Sequence, residues 1–142
     1  MAVYNKFDIF VENLAEKVHN LQSDTLKIML VNSLAPVSTN SVKADLTEIA
    51  AGNGYPAGGL QVAQSVSAQT SGTYKLVVSD ATFTATTASF GPFQYAVLYN
   101  DTPTSPLKPL IAWWNYGTAI TITAGNSFTV DLDQAGGVFT LA

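Results

Sequence analysis

The spacing of apolar residues changes along the chain from a helical period to a strand period. Near the N-terminus, apolar residues recur at intervals of three and four, which predicts an amphipathic helix over residues 1–22. The apolar stripe of this helix consists of Tyr4, Phe7, Val11, Leu14, Val18 and Leu21. From Leu60 onward, apolar and polar residues alternate between regularly spaced turns, which predicts antiparallel strands.

The intervening residues 23–59 are predicted to hold one strand and a long loop. Residues 23–32, SDTLKIMLVN, are typical of a turn followed by a strand. Residues 34–59 are rich in turn formers, and a short helical turn is expected near Lys43–Ala50 because Ser41 or Asp45 could cap it. Long loops of this kind are often functional.

We therefore expect a single domain over residues 1–142, with a helix (1–22), a strand plus long loop (23–59) and an antiparallel β-sandwich (60–142). The fold class is mainly β, sandwich-like or jelly-roll-like, with one N-terminal helix. The candidate strands are Leu60–Ala68, Thr73–Val78, Ala81–Thr86, Phe93–Tyr99, Leu110–Tyr116, Ile120–Thr123, Phe128–Asp133 and Val138–Leu141.

Two candidate strands are apolar on both faces, including the one that holds both tryptophans. Alternation sends the adjacent Trp113 and Trp114 to opposite faces of the sheet. Trp114, in line with Leu110, Ala112 and Tyr116, is predicted to face the core. Trp113 and Ile111 are predicted to form an outer contact. A two-layer sandwich buries one face of each sheet, so the N-terminal helix, the 34–59 loop or another chain must cover the second face.

The composition favours a surface that partners cover. Charged residues make up 11% of the chain, against roughly 25% in typical soluble domains. On this view Phe7, Val11 and Leu14 of the helical stripe dock into another subunit. No apolar run approaches the ~20 residues of a membrane helix. The first residues also lack the pattern of a signal peptide, so we expect assembly in the cytoplasm and no membrane partner.

The charged residues exclude several functions. The net charge is −4, all six basic residues are lysines, and arginine and cysteine are absent. Arginine is the preferred side chain for phosphates and base edges, so nucleic-acid binding is not expected. Without cysteine, the chain has no disulfide, thiolate nucleophile or cysteine-ligated metal site.

No catalytic, cofactor-binding or metal-binding site is predicted. His19 is the only histidine and is expected at the surface or boundary end of the helix. Asp131 and Asp133 could form a glycosidase pair, but a solvated strand face explains them better. A carbohydrate-binding function would instead use exposed aromatics such as Trp113 or Tyr55.

Several segments resemble small structural proteins of tailed bacteriophages. The resemblance runs from about Asn13 to Ala142, and its most distinctive pieces are EIAAGNGY, GPFQYAVLYND and PLIAWWNYG. It implies a non-enzymatic virion component, most simply a capsid decoration (cement) protein at the capsid surface. The implied partners are the major capsid protein and further copies of the chain, with a trimer favoured. A tail or fibre component, or a carbohydrate-binding β-sandwich of that kind, is the alternative that stays open.

Overall fold

A computed structural model describes residues 2–32 and 34–142. Within them, ten strands and one α-helix form a mainly β fold with antiparallel sheets, as the sequence predicts. The elements are β1 (Val3–Lys6), α1 (Asp8–Ala15), β2 (Leu26–Val31), β3 (Leu60–Val62), β4 (Gln64–Thr70), β5 (Thr73–Val78), β6 (Ala81–Thr84), β7 (Phe90–Asn100), β8 (Leu110–Ile122), β9 (Ser127–Val130) and β10 (Phe139–Leu141). Met1 of the predicted helix and Ser33 of the 23–59 segment lie outside the described residues.

The main core lies between one large sheet and two small ones. The large sheet has the strand order β1-β8-β7-β2-β3, and the small sheets are β10-β5-β4 and β6-β9. Ile28, Ala96 and Trp114 of the large sheet belong to the same buried cluster as Leu76 and Phe83 of the small sheets. This sandwich-like packing buries the inward-facing residues of the strands, as alternation requires.

The predicted N-terminal helix over residues 1–22 is wrong in extent. Its first turn is instead the strand β1, in which Tyr4 pairs with Trp114 of β8. The helix α1 is eight residues long, and Lys17 lies just beyond it with a φ of 67°. The backbone N–H groups of Val18 and His19 both donate to the Asn13 carbonyl, which closes the helix end. Pairing with β8 overrides the local helical spacing.

The C-terminal strands largely occur where alternation predicts them. Thr73–Val78 is correct at both ends, whereas Leu60–Ala68 is divided between β3 and β4. The segments predicted as Leu110–Tyr116 and Ile120–Thr123 belong to one strand, β8. Gly117 lies between them and adopts a φ of 81° without ending the strand. The predicted helical turn near Lys43–Ala50 is a 3₁₀-helix over Lys43–Asp45, and the Asp45 carboxylate accepts the N–H groups of Ser41 and Val42.

A β-bulge at Ile111 changes which side chains share a face of β8. Leu98 pairs with Ala112 and Tyr99 pairs with Leu110, so Ile111 is the extra residue. As a result Ile111 belongs to the main core with Trp114, whereas Leu110 belongs to a second buried cluster with Trp113. The expected grouping of Ile111 with Trp113, and of Leu110 with Trp114, is therefore wrong.

The second face of the large sheet is covered by the chain itself. Phe7 packs on Trp113 with a distance of 4.4 Å between ring centroids, and Phe7 is completely buried. Ile9 of α1 and Leu46 of the 34–59 loop pack against the same cluster. We name this group the second-face cluster; its buried members are Phe7, Met29, Val31, Tyr95, Val97, Tyr99, Leu110 and Trp113. The two tryptophans do face opposite sides, but Trp113 needs no neighbouring subunit to cover it.

Replacing either tryptophan is expected to destabilise the isolated domain. Both indoles are 8% exposed, and each belongs to a buried cluster. Trp113→Ala and Trp114→Ala should each lower the free energy of unfolding by about 3–5 kcal/mol, measured by urea denaturation. Val66→Ala, at a side chain that is 38% exposed, is the control and should change stability little. Wild-type stability of Trp113→Ala would contradict closure of the second face by Phe7.

The end of the long loop approaches β2 so closely that only glycine fits at position 59. Gly59 has a φ of 78°, and a Cβ there would overlap the Ile28 carbonyl oxygen and lie 2.7 Å from the Met29 Cα. Gly72, in the β4–β5 turn, has a similar φ of 83°, but a Cβ at that position would have no neighbouring atom within 4 Å. A side chain at position 72 therefore introduces backbone strain alone, whereas a side chain at position 59 introduces the same strain together with steric overlap.

Alanine at these two positions is expected to differ in effect. Gly72→Ala should cost about 1–3 kcal/mol, because a side chain must adopt the left-handed conformation. Gly59→Ala carries the same strain and should cost about 1–3 kcal/mol more, because the backbones of β2 and the loop must separate. Urea denaturation of both variants measures this difference. Equal losses would contradict the close approach at Ile28.

Candidate functional site

The residues predicted to form an interface do not form one surface. Tyr55 is 2% exposed and lies in the main core, where its ring centroid is 5.4 Å from that of Phe83. Trp113, Phe7 and Ile111 are also buried, and Leu14 is half-buried against the core. Val11, which is 53% exposed, is the member of the predicted set that stays open to a partner. The bulge explains the burial of Ile111, and the packing of Phe7 on Trp113 explains the burial of both rings.

His19 is buried in a small polar cluster rather than lying at the surface or boundary. Its Nδ1 lies 3.1 Å from the Asn100 Nδ2, which also donates to the Asp24 carboxylate. Because the Asn100 amide is a donor, Nδ1 is the acceptor and the imidazole is neutral. Burial lowers the pKa of His19 to about 4, although the Asp24 charge opposes this shift. This arrangement does not suit a general base near neutral pH.

Asp131 and Asp133 follow β9 instead of lying within it. Both are exposed, and the strand ends at Val130. The Asp133 Oδ1 accepts the backbone N–H groups of Ala135 and Gly136, so this carboxylate stabilises the turn before β10. The solvated-face interpretation holds for their exposure, but the predicted strand Phe128–Asp133 begins one residue late and extends three residues beyond the end of β9.

Glu48 fastens the long loop to the sheet, a role that the sequence pattern does not reveal. Its Oε1 accepts the Tyr55 hydroxyl and the Gly58 N–H, both at 2.7 Å, and its Oε2 pairs with the Lys43 Nζ at 2.6 Å. The Tyr55 hydroxyl in turn accepts the Leu30 N–H of β2. Burial raises the pKa of Tyr55, so this hydroxyl stays protonated. The GNGYPAGG segment is thus part of the scaffold.

A second set of ion pairs holds the β7–β8 connection. The Asp101 carboxylate lies 2.9 Å from the Lys27 Nζ and 2.7 Å from the Lys108 Nζ. Desolvation acts to raise the pKa of Asp101, but Lys108 and Lys27 outweigh it and the pKa is lowered. Lys27 is far from Asp101 and Lys108 in sequence, so no local motif marks its part in this set.

The sandwich is open along the side between β1 and the segment that joins β9 to β10. We name this opening the aromatic cleft. It has two arms that share Tyr4 and Trp114: one of about 520 Å³ reaches Lys6 and residues 136–140, and the other of about 390 Å³ reaches Tyr116, Thr129 and Asp131. Tyr4 and Trp114 meet edge to face, with ring centroids 5.6 Å apart. The volumes suit small-molecule sites, which span ~300–1,000 Å³.

Another groove, of about 700 Å³, lies between residues 14–24 and the β4–β5 hairpin. Some of its polar groups bond within the chain, whereas the buried Nε2 of His19 has no hydrogen-bond partner among the described residues. The Tyr74 hydroxyl lies 2.8 Å from the Ser67 Oγ, and the Asp24 carboxylate accepts the Asn20 N–H and the Asn100 amide. Groups that are already paired have little capacity to recognise a ligand.

Exposed apolar side chains occur at the α1 end of the molecule. Val11, Leu34 and Val37 are 53%, 66% and 52% exposed, and we name them the apolar patch. The Asp8 N–H donates to the Ser38 carbonyl at 2.9 Å and the Ser38 hydroxyl donates to the Asp8 carboxylate, which holds the 34–38 segment against the first turn of α1. Apolar side chains with a polar surround are typical of protein interfaces.

No family model matches this chain, and no curated protein or solved structure matches it. Among residues 2–32 and 34–142, no helix is long and apolar enough to cross a membrane. In the same described residues, no group of three or more His, Asp or Glu side chains is placed to hold a metal ion. A functional interpretation therefore depends on the apolar patch, the aromatic cleft and the sequence resemblance.

The buried His19 is expected to make the domain less stable in mild acid. Unfolded histidine binds a proton near pH 6.5, whereas folded His19 does so near pH 4. The unfolded state therefore binds more protons in this window, and stability falls as the pH drops from about 6.5 to about 4. Between about pH 7.5 and about pH 5, the wild type should lose more unfolding free energy than His19→Gln in urea titrations. Equal losses would contradict a neutral buried imidazole.

Proposed function

We propose that this chain is a non-enzymatic structural protein of a tailed-phage virion. In this role it binds the outside of the assembled head as a decoration (cement) protein and contacts the major capsid protein. The resemblance of EIAAGNGY, GPFQYAVLYND and PLIAWWNYG to phage structural proteins supports the class. Decoration proteins often act as trimers, and a homo-oligomer on the capsid surface, assembled in the host cytoplasm, is part of this proposal.

The apolar patch is the observation that carries the proposal. Both faces of the large sheet are closed by the chain's own residues, yet Val11, Leu34 and Val37 are more than half exposed. An incompletely covered sheet face therefore does not explain why these three side chains are exposed. Exposed apolar side chains with polar neighbours are typical of contact surfaces, and Asp8 and Glu12 are near Val11 in α1.

The chemistry of the polar groups also fits a binding role. His19 is neutral and hydrogen-bonded to Asn100, and Asp133 is engaged in a turn. Stabilisation of a head would be mechanical: apolar area buried across adjacent capsomers resists the internal DNA pressure. Attachment through several copies adds avidity without new contacts.

A tail or fibre component is the second candidate, and the aromatic cleft is the observation that favours it. Fibre proteins contact host surfaces, and an open cleft with exposed ring edges suits such a contact. The two candidates differ in copy number. A decoration protein is present in hundreds of copies per virion, and a tail or fibre protein in a few to tens.

The test is to add the purified protein to heads that lack it and to count bound copies by cryo-electron microscopy. We expect hundreds of copies on the capsid surface. Heads that carry the protein should resist heating better than heads that lack it. A Val11→Asp, Leu34→Asp, Val37→Asp variant should lose at least tenfold in affinity, which corresponds to about 1.4 kcal/mol.

Leu141→Asp is the matched control, because Leu141 is 54% exposed on the small three-stranded sheet. It should bind heads like the wild type. Both variants should unfold at wild-type urea concentrations, since each changes exposed side chains. Density confined to the tail would support the second candidate, and absence of the protein from all particles would refute both.

A further inference from the structure

We infer that the aromatic cleft is a binding site for a neutral carbohydrate chain. This inference goes beyond the proposed function and does not depend on it. It rests on three features of the cleft: the aromatic rings that converge there, the polar groups in its two arms, and the lack of concentrated charge in its lining.

The aromatic rings offer surfaces on which sugar rings can stack. Tyr4 is 42% exposed on the outer strand of the large sheet, and its ring meets Trp114 edge to face. Tyr116 is half-buried and lies in the second arm. Because Tyr4 and Trp114 line both arms, a ligand in either arm lies against them. The apolar faces of pyranose rings pack against such side chains, as apolar surfaces do generally.

Polar groups lie in both arms of the aromatic cleft, beside the aromatic rings. Asp131 and Thr129 lie in one arm, and Lys6 lies in the other. Carboxylate, hydroxyl and amino groups can hydrogen-bond to the many hydroxyls of a sugar. Burial and the negative charge of Asp131 raise the pKa of Tyr116 to about 12, so the tyrosine hydroxyl near Asp131 stays protonated and is still a donor.

The tyrosine hydroxyls divide into two groups. The hydroxyls of Tyr55, Tyr74, Tyr95 and Tyr99 form hydrogen bonds within the chain. Those of Tyr4 and Tyr116 form none with the described residues. Both of these tyrosines line the aromatic cleft. Their donors and acceptors are therefore available to a ligand that enters it.

The charges of the cleft select against other ligands. An anionic chain such as a nucleic acid needs several cations, but Lys6 is the cation in the cleft lining and Asp131 opposes it. A purely apolar ligand would leave Asp131, Thr129 and Lys6 without new partners and would gain nothing from them. A neutral, hydroxyl-rich chain satisfies both the rings and the polar groups.

The two tryptophans provide a built-in test by nuclear magnetic resonance. Cellohexaose, maltohexaose, chitohexaose and a mannohexaose would be titrated one at a time into ¹⁵N-labelled full-length protein. We expect at least one of them to shift the indole N–H signal of Trp114 with a Kd of about 1 mM or tighter. The Trp113 signal should stay in place, since Trp113 lies on the opposite face against Phe7.

Paired variants test the contacts individually. Tyr4→Ala and Asp131→Asn should each weaken the binding of the selected hexasaccharide at least tenfold. Val3→Ala is the control for the strand, because Val3 precedes Tyr4 and points to the other face, and Glu12→Gln is the control for a lost exposed charge on α1. Both controls should bind like the wild type. Each variant's urea midpoint shows that it is folded.

Three results would overturn the inference. The first is that none of the four hexasaccharides shifts the Trp114 signal. The second is that binding occurs but is unaffected by Tyr4→Ala and Asp131→Asn. The third is that a short extended peptide shifts Trp114 and β1 signals where the sugars do not, which would identify the cleft as a site for an added strand.

Discussion

The burial of both faces of the five-stranded sheet is the constraint on which the rest of the structure depends. One face packs against the small sheets, and the other is closed by Phe7, Ile9 and Leu46. To bury both faces, β8 must place large side chains on each side of the sheet. The bulge at Ile111 determines which side chains lie on which side. With one extra residue, Ile111 belongs to the main core and Leu110 joins Trp113 in the second-face cluster.

This constraint also decides where the molecule can interact. Since the faces of the large sheet are occupied, the available surfaces lie at its edges and ends. The aromatic cleft opens beside the outer strand β1, and the apolar patch lies where the 34–38 segment meets α1. The long loop is fastened by Glu48 and by the tight approach of Gly59 to β2, so it forms a fixed part of the scaffold. Different elements form the cleft and the patch, so occupation of one leaves the residues of the other free.

The sequence alone determined what depends on local pattern. Alternation identifies the mainly β class, most strands of the C-terminal half and the opposite orientation of Trp113 and Trp114, because side chains in a strand must alternate. The lack of cysteine and arginine limits the available chemistry whatever fold the chain adopts. None of these conclusions requires knowing which segments pair.

Tertiary structure decided what depends on pairing between distant segments. The spacing of Tyr4 and Phe7 fits a helix as well as a strand followed by a helix, and only pairing with β8 makes β1 a strand. The bulge has no local signal, so simple alternation places Ile111 on the wrong face. The sequence predicts an exposed Tyr55, but Glu48 and the Leu30 N–H bond its hydroxyl in the core. The free energy of these contacts comes from residues far apart in sequence, and that is why they overrule the local preference.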